Sequence, residues 1–229
     1  MKQYERNFLQ GMKKKLQVDL IGVASVEKSP ELKEKAAIFL PTAKSVVVFA
    51  KQSYKAVVAL LAPSKEAGAA EPGEVLGGHA AYIYGRLNRA VHEVADLLAE
   101  DGYQSIPLLA TPGFITDQRF ARALFSYKHA AVAAGLGTIG RNSLLITPEF
   151  GPRVRLTCLL TEAPLEETPP VQKDLCIACD ACISVCPAQA IGKPEPGQAC
   201  AVNRFACRAY RQAGLVCSVC LKVCDEATG

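Results

Sequence analysis

The chain has 229 residues, half of them hydrophobic and 21% charged, with a formal net charge of +4 at pH 7. This length suits one medium domain with a small appended domain, and the weak charge without aromatic platforms argues against nucleic-acid binding. Residues 1–20 lack the apolar segment of a signal peptide, and no apolar run approaches the ~20 residues of a spanning helix, so we expect a soluble, cytoplasmic protein.

Hydrophobic periodicity predicts a mixed succession of helices and strands in the first 110 residues. The predicted elements are a helix at 4–17, a strand at 19–26, a helix at 31–39, a buried strand at 45–50, a surface loop at 63–78, a long helix at 79–100 and a strand at 103–109.

The next stretch is predicted as an Ala-rich helix, a tight glycine loop and two further strands. These elements cover residues 121–134, 135–140, 143–147 and 153–161, and a Pro- and Glu-rich linker follows at 166–170. The fold class is therefore α+β, with an α/β domain over residues 1–168 and a cysteine-rich domain over 169–229.

Ten cysteines are distributed unevenly. Residues 1–157 contain none, Cys158 stands alone in a predicted strand, and the other nine lie between Cys176 and Cys224. In a reducing compartment such clustering indicates metal or redox chemistry rather than disulfides. We interpret Cys158 as a small buried hydrophobic residue.

The cysteine segment opens with the run Cys176, Cys179, Cys182, Cys186 and Pro187. This C-x₂-C-x₂-C-x₃-C-P spacing is that of bacterial ferredoxins, in which three thiolates hold one [4Fe–4S] cluster and the fourth holds the other. A zinc ribbon also uses C-x₂-C pairs, and a single cluster is conceivable, but the spacing favours two [4Fe–4S] clusters.

A second motif, Cys217, Cys220 and Cys224, completes the pattern. Reciprocal ligation assigns Cys224 to the first cluster, with Cys176, Cys179 and Cys182. The second cluster takes Cys186, Cys217, Cys220 and either Cys200 or Cys207. Asp225 stands where proline is usual, and we expect this to loosen the C-terminal end.

The glycine loop Gly135, Gly137 and Gly140 matches G-x-G-x-x-G. A dinucleotide site would need a strand before it and a helix opening within it, whereas the preceding residues favour a helix. Two alternatives stay open: a structural turn, or a loop whose bare backbone approaches another cofactor.

Residues 129–165 resemble the epoxyqueuosine reductases and the respiratory reductive dehalogenases. The shared features are the A-G-L-G-x-x-G-x-x-S-L-L segment at 134–145 and the strand ending L-L-T-E-x-P-L at 159–165. The resemblance extends from about Gly85 to Cys224. It implies a nitroreductase-like α/β domain followed by a ferredoxin-like two-cluster domain.

The resemblance also implies a cofactor and a ligand set. The family holds a cobalamin above its clusters, with FMN as the alternative for a nitroreductase-like fold. The loop residues would lie against it: Gly135, Leu136, Gly137, Gly140, Arg141, Asn142 and Ser143. A C-x-x-Y helix supplies a ligand to the second cluster in the family, and Cys207 and Tyr210 match it.

The chain departs from the family at the expected proton donor. The Asp-Ser-Ala-Pro stretch is missing, Ala121 stands at the acid's position, and Asp117 is out of register. Tyr127 is the catalytic candidate that remains, beside Lys128, Arg119 and Arg122. The helical repeats that grip tRNA and a twin-arginine signal are also missing, so the chain resembles a short, soluble branch.

Two functions follow from these patterns. The first is an iron–sulfur oxidoreductase that passes electrons from a ferredoxin or flavodoxin donor to a cofactor and an unknown small-molecule substrate. The second is an electron-transfer or corrinoid-reducing protein without a substrate of its own. A regulatory or structural iron–sulfur protein is a third alternative.

Overall fold

The computed structural model describes residues 6–62, 73–110, 116–117, 122–194, 201–213 and 217–228. In chain order the elements are α1 (Arg6–Leu16), β1 (Leu20–Ser25), α2 (Pro30–Ala37), β2 (Ser45–Gln52), α3 (Lys55–Ala59), α4 (Gly73–Glu100), β3 (Ser105–Leu108), β4 (Thr116–Asp117), β5 (Arg122–Ala123), α5 (Tyr127–Ala133), β6 (Thr138–Ile139), β7 (Leu145–Ile146), β8 (Val154–Thr161), α6 (Ala181–Ser184), α7 (Arg204–Gln212) and α8 (Val219–Thr228).

A four-stranded antiparallel sheet forms the centre of the body, in the order β1-β2-β8-β3. β2 pairs along its whole length with β8 and over residues 45–50 with β1, for example Val46 with Leu160 and Ala24. Its first six residues are buried because helices cover both faces of the sheet. A strand buried on both faces gives a continuous apolar run, which is why the sequence predicts it well.

Each face of the sheet has its own apolar core. α1 and α4 pack on one face, where Phe49 and Leu159 meet α4 residues such as Leu87. α2 and α5 pack on the other, where Val48 and Leu160 meet residues of both helices. The helix α4 is amphipathic, and its inward side chains are fully buried: Ile83, Leu87, Val91, Val94 and Leu98.

The long helix begins earlier than the sequence predicts. Residues 73–78 belong to α4, so the predicted surface loop is wrong there, and residues 63–72 lie outside the described part. Gly77 and Gly78 suggested a loop, yet a glycine costs a helix only ~1 kcal/mol relative to alanine. A helix that is already nucleated and packed can extend across that cost.

The predicted helix at 121–134 is wrong in its first third. Arg122–Ala123 instead pair with Thr116–Asp117 as a two-residue ladder, and the helix begins at Tyr127. Ser126 ends the extended segment because its Oγ accepts a hydrogen bond from the His129 N–H, capping the helix.

The glycine loop and the next strand form a small hairpin. Thr138–Ile139, within the predicted tight loop, pair with Leu145–Ile146. The predicted strand at 143–147 is therefore shorter than expected and lies outside the main sheet, whereas Val154–Thr161 occupies the predicted position in it.

The linker is packed against the body. Thr168 donates its N–H to the Val23 carbonyl and accepts the Val23 N–H on its Oγ1, so the chain leaves the body along β1. Within the described ranges, no helix has the length and apolar character needed to cross a membrane.

Candidate metal centres

Four predicted ligands line one pocket. Cys176, Cys179, Cys182 and Cys224, here called set I, line a small pocket that is partly open to solvent. The first three come from the loop before α6 and from α6 itself, and Cys224 comes from α8. The structure thus brings together the residues that the reciprocal pattern assigned to the first cluster.

The set I loop has a conformation that needs support. Ala178 and Asp180 have positive φ angles of 56° and 58°. Residues other than glycine rarely adopt this left-handed backbone conformation. Arg141 stabilises both turns, because its guanidinium donates to the Ala178 carbonyl at 3.1 Å and pairs with the Asp180 carboxylate. A residue of the glycine loop therefore holds the cysteine loop in shape.

The helix α8, which carries Cys220 and Cys224, is anchored to the body by side chains of both parts. Asn142 Nδ2 donates to the Cys220 carbonyl at 3.2 Å, and Lys222 Nζ donates to the Ala59 carbonyl at 2.8 Å. Such contacts fix where the helix presents its two thiols.

The strongest anchor of α8 is a buried ion pair. Arg153 Nε lies 2.5 Å from Asp225 Oδ1, and the two side chains are 13% and 5% exposed. Arg153 also donates to the Ser53 carbonyl at 2.9 Å. The expectation that Asp225 loosens the C-terminal end is wrong, since its carboxylate binds the helix to the body.

The second group of thiols, called set II, consists of Cys186, Cys207, Cys217 and Cys220. Burial raises the pKa of Cys207, and nearby Cys217 and Cys186 raise it further. Burial likewise raises the pKa of Cys220 to about 12, with Cys217, Cys207 and Cys186 adding to the shift. Set II is the grouping that the cysteine pattern predicts, and the directions of these pKa shifts are consistent with it; Cys200, the other candidate, lies outside the described residues.

The electrostatics of both sets favour a bound cation. Burial also raises the pKa of Cys224 to about 11, and Cys176, Cys182 and Cys179 contribute. Buried thiolates repel one another and lose hydration, so positive charge must compensate them. Coordinated iron supplies that charge and removes the proton from a thiol.

The residues present fit iron–sulfur clusters. The donor set is all sulfur, which suits Fe–S chemistry, and the Ala190 N–H lies 3.3 Å from Cys186 Sγ as a further donor. Within the described ranges no three His, Cys, Asp or Glu side chains converge on a single metal ion. Four thiolates bound to four different irons of a cubane do not need to converge in that way.

The three glycines of the loop face the protein itself. A Cβ on Gly135 would lie 2.2 Å from the Pro169 carbonyl oxygen, and one on Gly137 would lie 2.0 Å from that of Ile146. Gly140 lies beside Ile146 and lines the set I pocket. Tight packing of the chain therefore accounts for these glycines, and Gly140 brings the loop to the edge of set I.

The loop also connects to the start of the cysteine run. Thr138 Oγ1 accepts the Leu175 N–H at 3.0 Å and donates to Asp174 Oδ1 at 3.2 Å. Asp174 in turn accepts the Cys176 N–H. Sequence analysis did not identify these two residues, because a threonine and an aspartate 36 positions apart carry no spacing signal.

Lys128 and Ser143 lie where the body approaches set II. Lys128 Nζ donates to the carbonyl of Ser143 and to its Oγ. Burial lowers the pKa of Lys128, and the neighbouring Cys220 thiol opposes that shift. This lysine is thus a half-buried cation beside the second group of thiols.

Tyr127, the catalytic candidate, points into the body. Its hydroxyl donates to the Leu109 carbonyl at 2.9 Å, and its ring stacks at an angle on Phe125. Burial raises the pKa of Tyr127, which makes it a poor proton donor. The side chains of Arg119, Arg122 and Asp117 lie outside the described residues.

Comparisons with known proteins agree with this site. The family described as 4Fe-4S binding domain matches residues 169–192. Tetrachloroethene reductive dehalogenase of Desulfitobacterium hafniense is 32% identical over 161 residues, which is 69% of this chain and 25% of that protein. Epoxyqueuosine reductase of Synechococcus sp. (strain CC9605) is 48% identical over 64 residues, 28% of this chain and 20% of that protein.

The chain is a homologue of the reductive dehalogenases and the epoxyqueuosine reductases. It carries a 4Fe-4S binding domain, as the cysteine spacing predicted. It spans about a fifth to a quarter of the length of these curated reductases.

Solved structures of both groups of reductases share the fold. A reductive dehalogenase, whose structure is described as suggesting a mechanism for B12-dependent dehalogenation, aligns with a TM-score of 0.71 at 18% identity. That alignment covers 94% of this chain and 31% of the dehalogenase. An epoxyqueuosine reductase in complex with a tRNA stem loop aligns with a TM-score of 0.64 at 19% identity. This alignment covers 96% of this chain and 65% of that reductase. Both the α/β body and the cysteine segment therefore fall within the part of the chain that shares the fold of these structures.

Proposed function

We propose that this chain is an iron–sulfur oxidoreductase that passes electrons through two [4Fe–4S] clusters, one held by set I and one by set II. The observation that carries the proposal is the pocket lined by the four thiols of set I. The grouping of set II rests on the cysteine spacing and on the resemblance to the family. Homology to two groups of reductases supports the redox role.

We propose a corrinoid as the electron acceptor, with FMN as the alternative, and a small molecule as the final substrate. The support is the B12-dependent relative of the same fold. A corrinoid supplies a reducible cobalt centre when it is bound. Because the loop glycines contact protein backbone, we assign the loop a scaffolding role toward set I, and its contact with a corrin stays a prediction.

The ionisable group best placed to hold a proton near set II is Lys128. Burial lowers its pKa, which brings proton release closer to neutral pH, where general acids work best. Ser143 orients the ammonium through its carbonyl and hydroxyl. Tyr127, whose hydroxyl is bonded to Leu109, takes a packing role.

A second function is supported by the position of the missing acid. Ala121 stands where epoxyqueuosine reductases have their aspartate, and alanine cannot donate a proton. An electron-transfer or corrinoid-reducing protein without its own substrate would not need that donor. Both functions require a protein electron donor such as a ferredoxin or flavodoxin. We also propose that the chain acts in the cytoplasm.

We further propose that the body, residues 1–168, is nitroreductase-like and that residues 169–229 form a ferredoxin-like unit. The body has a complete sheet with a core on each face. In the parts of it that the structure describes, the cysteine segment contributes three short helices and no strand of the main sheet.

The ligand sets are tested by counting iron and sulfide in anaerobically purified protein. We expect about eight irons in the wild type and about four in Cys207→Ser, because each [4Fe–4S] cluster needs four cysteine ligands. Cys200→Ser is the matched control and keeps about eight. A loss of iron in Cys200→Ser with none in Cys207→Ser would transfer the ligand role to Cys200.

The acceptor is tested by titrating the same protein with cobalamin and with FMN while its absorption spectrum is recorded. Tight cobalamin binding with shifted corrin bands supports the corrinoid-dependent oxidoreductase. Tight FMN binding supports the alternative cofactor. A protein with about eight irons that binds neither supports the electron carrier.

A further inference from the structure

The helix α7 carries a thiol of set II close to its exposed side. Cys207 is half-buried and lies one turn from both Arg204 and Arg211, and Arg211 opposes the rise that burial causes in the pKa of Cys207. The outer side of the helix exposes Arg204, Phe205 and Gln212. Asn203 caps the helix by accepting the Ala206 N–H at 3.0 Å, so a short helix is held with a fixed outer surface.

The outer side is basic and carries an exposed aromatic ring. Arg204, Arg208 and Arg211 follow one another at four- and three-residue spacing, which places them along one side of a helix, and α7 contains no acidic residue. Phe205, beside them, is 57% exposed. We call Arg204, Phe205, Arg208 and Arg211 the α7 face.

This combination is typical of a recognition surface. Aromatic residues and arginine are more frequent at the centres of protein interfaces than on the rest of a protein's surface. A cluster of one sign of charge attracts partners of the opposite sign and speeds their association. A second copy of this chain would bring the same three arginines, and like charges would repel.

We propose that the α7 face is the docking surface for an acidic electron-carrier protein, which transfers one electron to the set II cluster through α7. This rests on the proposed function. The carrier's reduced cofactor is oxidised by one electron and the [4Fe–4S] cluster is reduced by one; no bond forms or breaks. Arg204 and Arg211 lie about one helical turn, roughly 5 Å along the axis, from Cys207, so a carrier docked on the α7 face lies beside a ligand of set II.

The test compares two reductants in anaerobic stopped-flow experiments on the reconstituted protein. The first is the hydroquinone of an acidic flavodoxin, which must dock. The second is photoreduced deazariboflavin, which is uncharged and needs no docking surface. Bleaching of the cluster absorption gives the rate for each.

The variants are matched in charge. Arg204→Glu/Arg211→Glu reverses two exposed charges on α7, and Lys14→Glu/Lys15→Glu makes the same reversal at exposed positions on α1. We expect the α7 variant to react with flavodoxin about tenfold or more slowly at low salt, the lower limit of electrostatic steering. The α1 variant should keep the wild-type rate, and both should react normally with deazariboflavin.

Salt provides a second readout. The flavodoxin rate of the wild type should fall as ionic strength rises, because screening weakens charge attraction, and the α7 variant should lose most of that dependence. Phe205→Ala should also slow the flavodoxin reaction while leaving its salt dependence unchanged.

Each contrary outcome has a distinct meaning. If the α7 variant reacts with flavodoxin as fast as the wild type, or if the α1 variant slows as much, the docking surface is wrong. If the variant loses binding of an RNA hairpin while its flavodoxin rate is unchanged, the face serves nucleic acid and the proposal also falls. If deazariboflavin cannot reduce the wild type at all, the proposed electron-transfer function itself fails.

Discussion

The pair Arg153 and Asp225 shows how one residue joins the cysteine segment to the body. Both side chains are almost fully buried, so each depends on the other to balance its charge. Asp225→Asn removes the negative charge and leaves a buried arginine unpaired. We expect the free energy of unfolding to fall by about 3–5 kcal/mol, the usual cost of breaking a buried pair.

Urea denaturation followed by circular dichroism measures this loss, since the chain has no tryptophan to report it. Glu27→Gln is the matched control: it removes the charge from an exposed pair with Lys33, which should change stability by less than about 1 kcal/mol. Equal, small effects of the two substitutions would contradict an anchoring role for Asp225.

At the level of residues, spacing predicted the cysteines and missed their supports. Cys176, Cys179 and Cys182 follow a rule set by the shape of a cubane, so a single sequence reveals them. Arg153 and Asp225 are 72 positions apart and meet only because α8 packs against the body beside α3. No local pattern marks such a pair.

At the level of elements, the close approach of the β6–β7 hairpin to its own backbone can be tested at Gly137. A Cβ there would lie 2.0 Å from the Ile146 carbonyl oxygen, and neither group belongs to a flexible side chain. We expect Gly137→Ala to lower the free energy of unfolding by about 3 kcal/mol, the upper range for overpacking, with a loss of iron because the loop supports set I.

Gly85→Ala is the control for that substitution. Gly85 is exposed on α4, and nothing lies within 4 Å of an added Cβ. Alanine there should raise stability by about 0.5–1 kcal/mol through its higher helix propensity. A neutral Gly137→Ala would show that the loop can widen and that its glycines serve some purpose other than close packing.

The success of prediction for each element depended on its length and burial. β2, β8 and the second half of α4 have long apolar patterns, and the sequence located them to within a few residues. α3, β4 and β5 span five, two and two residues, too few for any periodicity. Tertiary neighbours decide whether such short segments are helix, ladder or turn.

At the scale of the whole molecule, the two parts should respond differently to the loss of iron. The body has its own cores on both faces of the sheet, whereas α6 and α7 have short lengths and few buried apolar residues. Metal binding supplies folding energy to segments of that kind. We expect chelation of iron to unfold residues 174–213 and to leave the sheet intact.

Hydrogen exchange measured by mass spectrometry distinguishes these regions. Peptides from β2 and β8 should keep their protection after iron removal, and peptides that contain α6 and α7 should lose it. Uniform loss across the chain would mean that the body cannot fold without its clusters.

The strand order has a consequence for how the protein is made. β8, which joins β2 to β3 in the middle of the sheet, is the last of the four strands to leave the ribosome. Until residue 161 has emerged, β2 and β3 have no common neighbour, and such distant pairings fold slowly. The cysteines of sets I and II emerge directly afterwards. We therefore expect the nascent body to close first, so that cluster assembly takes place on a finished scaffold.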